Sequence, residues 1–140
     1  MQDSNPLKKL AADANVILSA IAGKAALRVF LVEGIEIVTS QYNIEEVREY
    51  ISVMAEKYSL SEEVLDAQLK LLPLKEYPQS FYKDFIKKAS EKLSGRDSDD
   101  IELLALSMKL EVPIWSNDRD FTDLGIEVYT TVKLLKILNV

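Results

Sequence analysis

In Leu7-Lys8-Lys9-Leu10-Ala11-Ala12-Asp13-Ala14-Asn15-Val16-Ile17-Leu18-Ser19-Ala20-Ile21 a short apolar run stops at an aspartate and helical material begins. Leu7 to Ala12 reads as a strand, Asp13-Ala14-Asn15 as a turn, and the residues through Ile21 as a helix. Strand, turn and helix in immediate succession are the opening of an α/β fold. They place Asp13 at the carboxyl end of the first strand, where such folds gather their ligands.

Downstream the pattern repeats. Lys24 to Glu33 is helical and Gly34 ends it; Ile35, Ile37, Val38 and Thr39 form a β-branched second strand, with Ser40 at the following turn. Ile44, Val47, Ile51 and Met54 or Ala55 give the next helix one apolar face. Ser59 or Ser61 caps a helix from Glu62 to Leu72, with Val64, Leu65, Leu69 and Leu72 as its stripe. Pro73 and Pro78 bracket an irregular link, and Pro78 suits the first turn of a helix through Leu93 that Ser94 and Gly95 end. Asp97 to Asp100 is a natural helix start, because carboxylates there accept from free backbone amides; Ile101, Leu104, Ala105 and Met108 are the buried face. After Pro113 come a strand at Ile114 to Trp115, a turn at Ser116 to Asp120, a last strand at Glu127 to Tyr129 and a closing helix from Thr131 to Leu138. Strands alternating with helices imply a mainly parallel sheet covered on both faces.

The 140 residues, 48% apolar, suffice for one domain spanning 1–140. There is no run long enough for a membrane helix and no signal-peptide core at the start, so the expected compartment is the cytoplasm, with no membrane partner. The chain has no cysteine and no histidine, which removes thiolate sites, histidine general bases, histidine-containing triads and nearly every common zinc site. Neither a P-loop nor a Rossmann glycine pattern occurs. A formal charge of -6 argues against holding nucleic acid by the overall field.

Chemistry must then rest on carboxylates, lysines, hydroxyls or a bound cation. Asp13 and Asp118 each follow a strand directly. Glu46 lies in the first turns of a helix that leaves a strand, and Asp100 begins a helix that feeds one. In a parallel sheet all four positions fall at the carboxyl edge. Four carboxylates brought together repel one another unless a cation joins them, and an all-oxygen site that leaves room for water suits Mg²⁺ or Mn²⁺. Such an ion lowers the pKa of water and neutralises charge on a phosphoryl transition state. With 23 acidic residues in the chain, any one of them is more often a surface group or a helix cap; Asp97 and Asp99 read as caps. A one-residue offset of the helix exchanges Glu45 for Glu46, and Asp120 reads either as a further ligand or as the cap of its short turn.

Four segments now resemble a known family. Ala12-Asp13-Ala14-Asn15-Val16-Ile17-Leu18-Ser19, then Ser40 through Glu45-Glu46-Val47, then Arg96-Asp97-Ser98-Asp99-Asp100 with Leu104-Ala105, and Trp115-Ser116-Asn117-Asp118-Arg119-Asp120-Phe121 are similar, in order and spacing, to the four acidic motifs of PIN domains. The resemblance implies a three-layer α/β/α sandwich and Mg²⁺- or Mn²⁺-dependent cleavage of RNA. Carried over by position, Asp13, Glu46, Asp100 and Asp118 form the catalytic cluster, with Asp13, Asp100 and Asp118 as metal ligands. Asn15, Ser116, Asp97 and Asp120 support them. Many members of this length are toxins held silent by a small antitoxin protein, and many are homodimers; here Leu134, Leu135, Ile137 and Leu138 are either such an interface or core.

For an RNA grip, Lys87, Lys88 and Arg96, with Lys83 and Lys92, lie on or after one helix near Phe81, Tyr82 and Phe85; Arg28, Arg48 and Arg119 are alternatives nearer the edge. Asp84 and Glu91 interleave with the lysines, which favours an ordinary solvated helix. Trp115 reads as core. Three other readings compete. A phosphoacceptor receiver domain needs an acidic pair after the first strand, whereas Asp13 stands alone and Lys133 lies on the final helix. A haloacid-dehalogenase-type phosphatase needs a second aspartate where Asn15 stands. A PIN-like scaffold that binds without cutting is opposed by the intact acidic set.

Overall fold

In the computed structural model, which describes residues 7–94 and 98–140, the opening apolar run is β1 (Lys9–Ala12) and the helix after it is α1 (Ala14–Ile21). Asp13 makes the transition by capping: its extended backbone turns the chain and Oδ1 accepts from the Val16 N–H at 2.9 Å, satisfying one of the donors a helix start leaves open. The chain continues through α2 (Ala26–Phe30), β2 (Glu36–Ser40), α3 (Gln41–Lys57), α4 (Glu62–Leu71), β3 (Leu74–Tyr77) and α5 (Gln79–Tyr82). A 3₁₀ turn at Lys83–Phe85 leads into α6 (Ile86–Leu93) and α7 (Ser98–Leu110). Then follow β4 (Ile114–Trp115), a 3₁₀ turn at Arg119–Phe121, β5 (Val128–Tyr129) and α8 (Thr131–Leu138). Ser40, Ser61 and Thr130 cap α3, α4 and α8 as Asp13 caps α1.

The strands form one sheet in the order β3-β2-β1-β4-β5, and every pairing is parallel. From β1 the chain moves outward through β2 and β3, then returns to the other side of β1 for β4 and β5. Strand alternation divides the interior in two. Leu10, Ala12, Ile37, Trp115 and Tyr129 point into a core closed by α1, α2, α3, α4 and α8, while Ala11, Val38 and Ile114 point into a core closed by α5, α6 and α7. The result is a three-layer α/β/α sandwich. Trp115 is fully buried, and its Nε1 donates to Thr131 Oγ1 at 3.0 Å. Leu134 is also core, whereas Ile137 is exposed. Among the described residues no helix is long and apolar enough to cross a membrane.

Three segments correct the sequence reading. The link between Pro73 and Pro78 is not irregular: Leu74–Tyr77 is an edge strand paired with β2 through Ile37↔Leu74 to Ser40↔Tyr77. Lys75 and Glu76 are exposed, so the strand lacks an alternating apolar signal, and an edge position tolerates the flanking prolines. The helix expected from Pro78 through Leu93 is broken: Pro78 is the N-cap of α5, and the 3₁₀ turn separates α5 from α6. Ser94 ends α6 in a left-handed conformation, φ 51°. In α4, Val64 is exposed and Leu65 takes the buried position.

Candidate functional site

The direction of strand order reverses between β1 and β4, so the segments leaving these two neighbours diverge to opposite faces and leave a crevice between them. Asp13 leaves β1 into it, and Ser116, Asn117 and Asp118 leave β4. The two sides are joined directly, because the Ser116 hydroxyl donates a short hydrogen bond to Asp13 Oδ2 and accepts from the Asp118 N–H at 2.9 Å. Asn117 holds the β4 loop in place: its Oδ1 accepts from Thr131 N–H at 2.8 Å, and its Nδ2 donates to the Thr131 hydroxyl at 3.2 Å. Thr39 Oγ1 donates to the Ala12 carbonyl at 2.8 Å, tying the ends of β1 and β2 together.

At the mouth of this crevice is a cavity of about 70 Å³ lined by Asp13, Ala14, Asn15, Asn43, Glu46, Asp100 and Asp118. Four carboxylates from four separate segments therefore meet in one small space. Helix phase decides between the two adjacent glutamates of α3: Glu46 is half-buried and lines this cavity, whereas Glu45 is exposed and faces a different concavity. Burial pushes the Asp13 carboxyl above the ordinary aspartate value, and the Asp118 charge adds to the rise; hydrogen bonds from Ser116 and from the Val16 and Asn15 amides oppose it.

Asp100, Asp118 and Asp120 each present a carboxylate oxygen within 4.8 Å of the others. This all-oxygen donor set suits one hard divalent cation, with the side chains drawing in from up to 4.8 Å toward the ~4.2 Å that separates opposite ligands of a six-coordinate Mg²⁺. Asp120 is thus beside the other two carboxylates. The cap of the Arg119–Phe121 turn is Asp118, whose Oδ1 accepts from the Asp120 N–H at 3.0 Å.

Asn43 was not singled out from the sequence. It is buried in the first turn of α3, where its Oδ1 accepts from Ser40 Oγ at 2.5 Å and its N–H donates back to Ser40 Oγ at 3.0 Å. The Ser40-x-x-Asn43 spacing at a helix start was its available signal. A second polar group also emerged only in three dimensions. Tyr82 donates to Glu102 Oε1 at 2.6 Å, and Gln79 Nε2 donates to Glu102 Oε1 and Oε2 at 3.2 and 3.1 Å. Burial and the adjoining Glu102 carboxylate push the Tyr82 hydroxyl well above its usual range, so it stays a donor, and the Ser40 hydroxyl adjoins it. This group links α5 and α7 to the start of α3, the elements that carry Asp100 and Glu46.

Of the expected basic residues, Lys87 and Lys88 are exposed on α6 and are not part of the wall of the acidic cavity; Lys88 lies over the Phe85 ring, as on a solvated helix. Arg119 is exposed beside Asp118. Asp97 and Arg96 lie outside the described residues.

A PIN-domain family model matches residues 12–139. No curated protein sequence matches the chain. Solved structures with a similar fold include a toxin-antitoxin complex from Klebsiella pneumoniae, 16% identical over 87% of this chain and 97% of the other, TM-score 0.65. VapBC2 from Rickettsia felis, bound to a DNA fragment from their promoter, is 13% identical over 87% and 98%, TM-score 0.64. FitAcB from Neisseria gonorrhoeae is 14% identical over 88% and 98%, TM-score 0.53. At these identities the likeness is one of fold.

Proposed function

Because the chain belongs to the PIN-domain family, we propose that it is a metal-dependent endoribonuclease that cleaves RNA phosphodiester bonds at the cavity beside Asp13. The observation that carries this reading is the meeting of Asp13, Glu46, Asp100 and Asp118 in one cavity at the switch point of the sheet. Such a group is costly to hold together in the absence of a cation, and the chain has no histidine or cysteine to perform the chemistry otherwise.

In this reading Asp100, Asp118 and Asp120 hold Mg²⁺ or Mn²⁺, with Asp13 alongside. Bound there, the ion supplies a water of lowered pKa and positive charge against the scissile phosphate. The protein's own part is positioning. Ser116 and the Val16 amide fix both oxygens of Asp13, so its carboxylate enters the cavity in one orientation. Ser116 also fixes the backbone of Asp118, which couples the two aspartates. Glu46 and Asn43, from the first turns of α3, line the same cavity; in this reading Glu46 would accept a proton from the attacking water and Asn43 would orient a phosphate oxygen.

The fold likeness to a toxin-antitoxin complex supports a toxin role with an antitoxin protein as partner. The test is cleavage of a mixed RNA pool by purified protein in Mn²⁺, beside an EDTA control and Asp118→Asn. Cleavage that disappears in both controls is the expected result. Equal cleavage by Asp118→Asn would overturn the assignment.

A further inference from the structure

Beside the acidic cavity, and sharing Asn15 with it, a second concavity of about 230 Å³ opens between α1 and the C-terminal half of α3. Its polar wall is Asn15, Ser19, Lys24, Tyr50, Lys57 and Tyr58, the remainder is apolar, and among the described residues no carboxylate lines it. In a chain of net charge -6 that is a local inversion, sharper because the concavity on the other side of Tyr50 is lined by Glu45, Glu46 and Glu49. Lys24 Nζ lies 4.5 Å and Lys57 Nζ 5.4 Å from the centroid of the Tyr58 ring. Both lysines therefore rest against an aromatic face rather than a carboxylate. Tyr58 and Tyr50 are 40% and 49% exposed.

A ligand that spans both concavities must bring negative charge to two lysines and a flat ring to two exposed tyrosines, while presenting an anion to a cation-binding acidic cluster. A single nucleic-acid strand has all three, with phosphates for the lysines, bases for the tyrosines and the next phosphate for the acidic cavity. We propose that the α1–α3 groove is a single-strand subsite that takes the nucleotides flanking the scissile phosphate, with Lys24 and Lys57 on phosphates and Tyr58 or Tyr50 under a base. The inference rests on the nuclease reading above for what happens at the neighbouring cavity, but strand binding in the groove is measurable without cleavage.

The test is fluorescence anisotropy of a short 5′-fluorescein-labelled single-stranded RNA, in EDTA, with the parent protein, Lys24→Gln/Lys57→Gln and Tyr58→Leu. Loss of the two lysines is expected to weaken binding about tenfold at low salt and to reduce the slope of log K against log salt by about 1.4. Tyr58→Leu is expected to weaken it about fivefold with the slope unchanged. The three residues are exposed, and circular dichroism checks that each variant is folded. Unchanged affinity and slope in the lysine variant overturn the proposal and leave the groove to another occupant, such as a segment of a protein partner. RNA cleavage by the same lysine variant at the parent rate, with unchanged affinity, rejects the groove while keeping the nuclease. Lysine-dependent binding without Mn²⁺-dependent cleavage keeps the groove and rejects the nuclease.

Discussion

Asp13 and Glu102 are buried to the same degree, each 8% exposed, in two regions of the molecule that use a buried carboxylate in opposite ways. Around Glu102 the neighbours are donors: Tyr82 and Gln79 together supply three hydrogen bonds, and the carboxylate ties α5 to α7. Around Asp13 three donors compete with burial and a like charge, since burial and Asp118 both raise its pKa and Glu46 and Asp100 line the same cavity. Burial alone therefore does not distinguish a structural carboxylate from a functional one. The sign of the neighbours does, because donors settle a charge in place whereas further carboxylates leave a demand for a cation.

The comparison is broken most severely through Asp100, two residues before Glu102 on α7. Asp100→Asn is expected to reduce Mn²⁺-dependent cleavage by more than the about 100-fold that loss of an outer partner costs, while melting no lower than the parent in EDTA, since it removes a like charge. A calorimetric scan with and without Mn²⁺ checks the second half; a fall in EDTA stability matching the loss of activity would mean that Asp100 acts through folding. Glu102→Ala should do the reverse. It strips the buried Tyr82 and the exposed Gln79 of their charged acceptor and is expected to cost about 2–3 kcal/mol, read from urea melts, with Mn²⁺ affinity kept. Altered metal affinity at unchanged stability would place Glu102 with the site instead.

Ser116→Ala sharpens the comparison between these extremes, because the Ser116 hydroxyl is the side-chain donor that opposes the effect of burial and of Asp118 on the Asp13 carboxyl. A ten- to hundredfold loss of Mn²⁺ affinity is expected, measured by isothermal titration. An affinity within twofold of the parent would reduce Ser116 to packing. The smallest effect belongs to Tyr82→Phe, which removes one hydrogen bond to Glu102 and is expected to cost about 1–3 kcal/mol, at the lower end because Gln79 remains. A loss equal to that of Glu102→Ala would show Tyr82 to be the whole of Glu102's support.

The amino-acid order by itself determined the strand–aspartate–helix opening, the alternation of strands and helices, and the bounds of α8, because apolar periodicity and capping residues are local signals. It also determined that Asp13, Glu46, Asp100 and Asp118 would face one edge, since direction in a parallel sheet follows from the order of elements. What it left open depended on contacts between distant segments. Leu74–Tyr77 is a strand because β2 offers it a partner, and nothing within Leu-Lys-Glu-Tyr announces that. Glu46 rather than Glu45 faces Asp13 because of the angle at which α3 leaves β2, and one residue of helix phase is about 100°. Lys87 and Lys88, adjacent and conspicuous in sequence, lie away from the carboxylates, while Lys24 and Lys57, far apart in sequence, meet over one tyrosine ring. Equal spacing along a chain carries charge pattern but not solid angle, and it is packing against the sheet that turns one set toward the crevice and the other toward solvent.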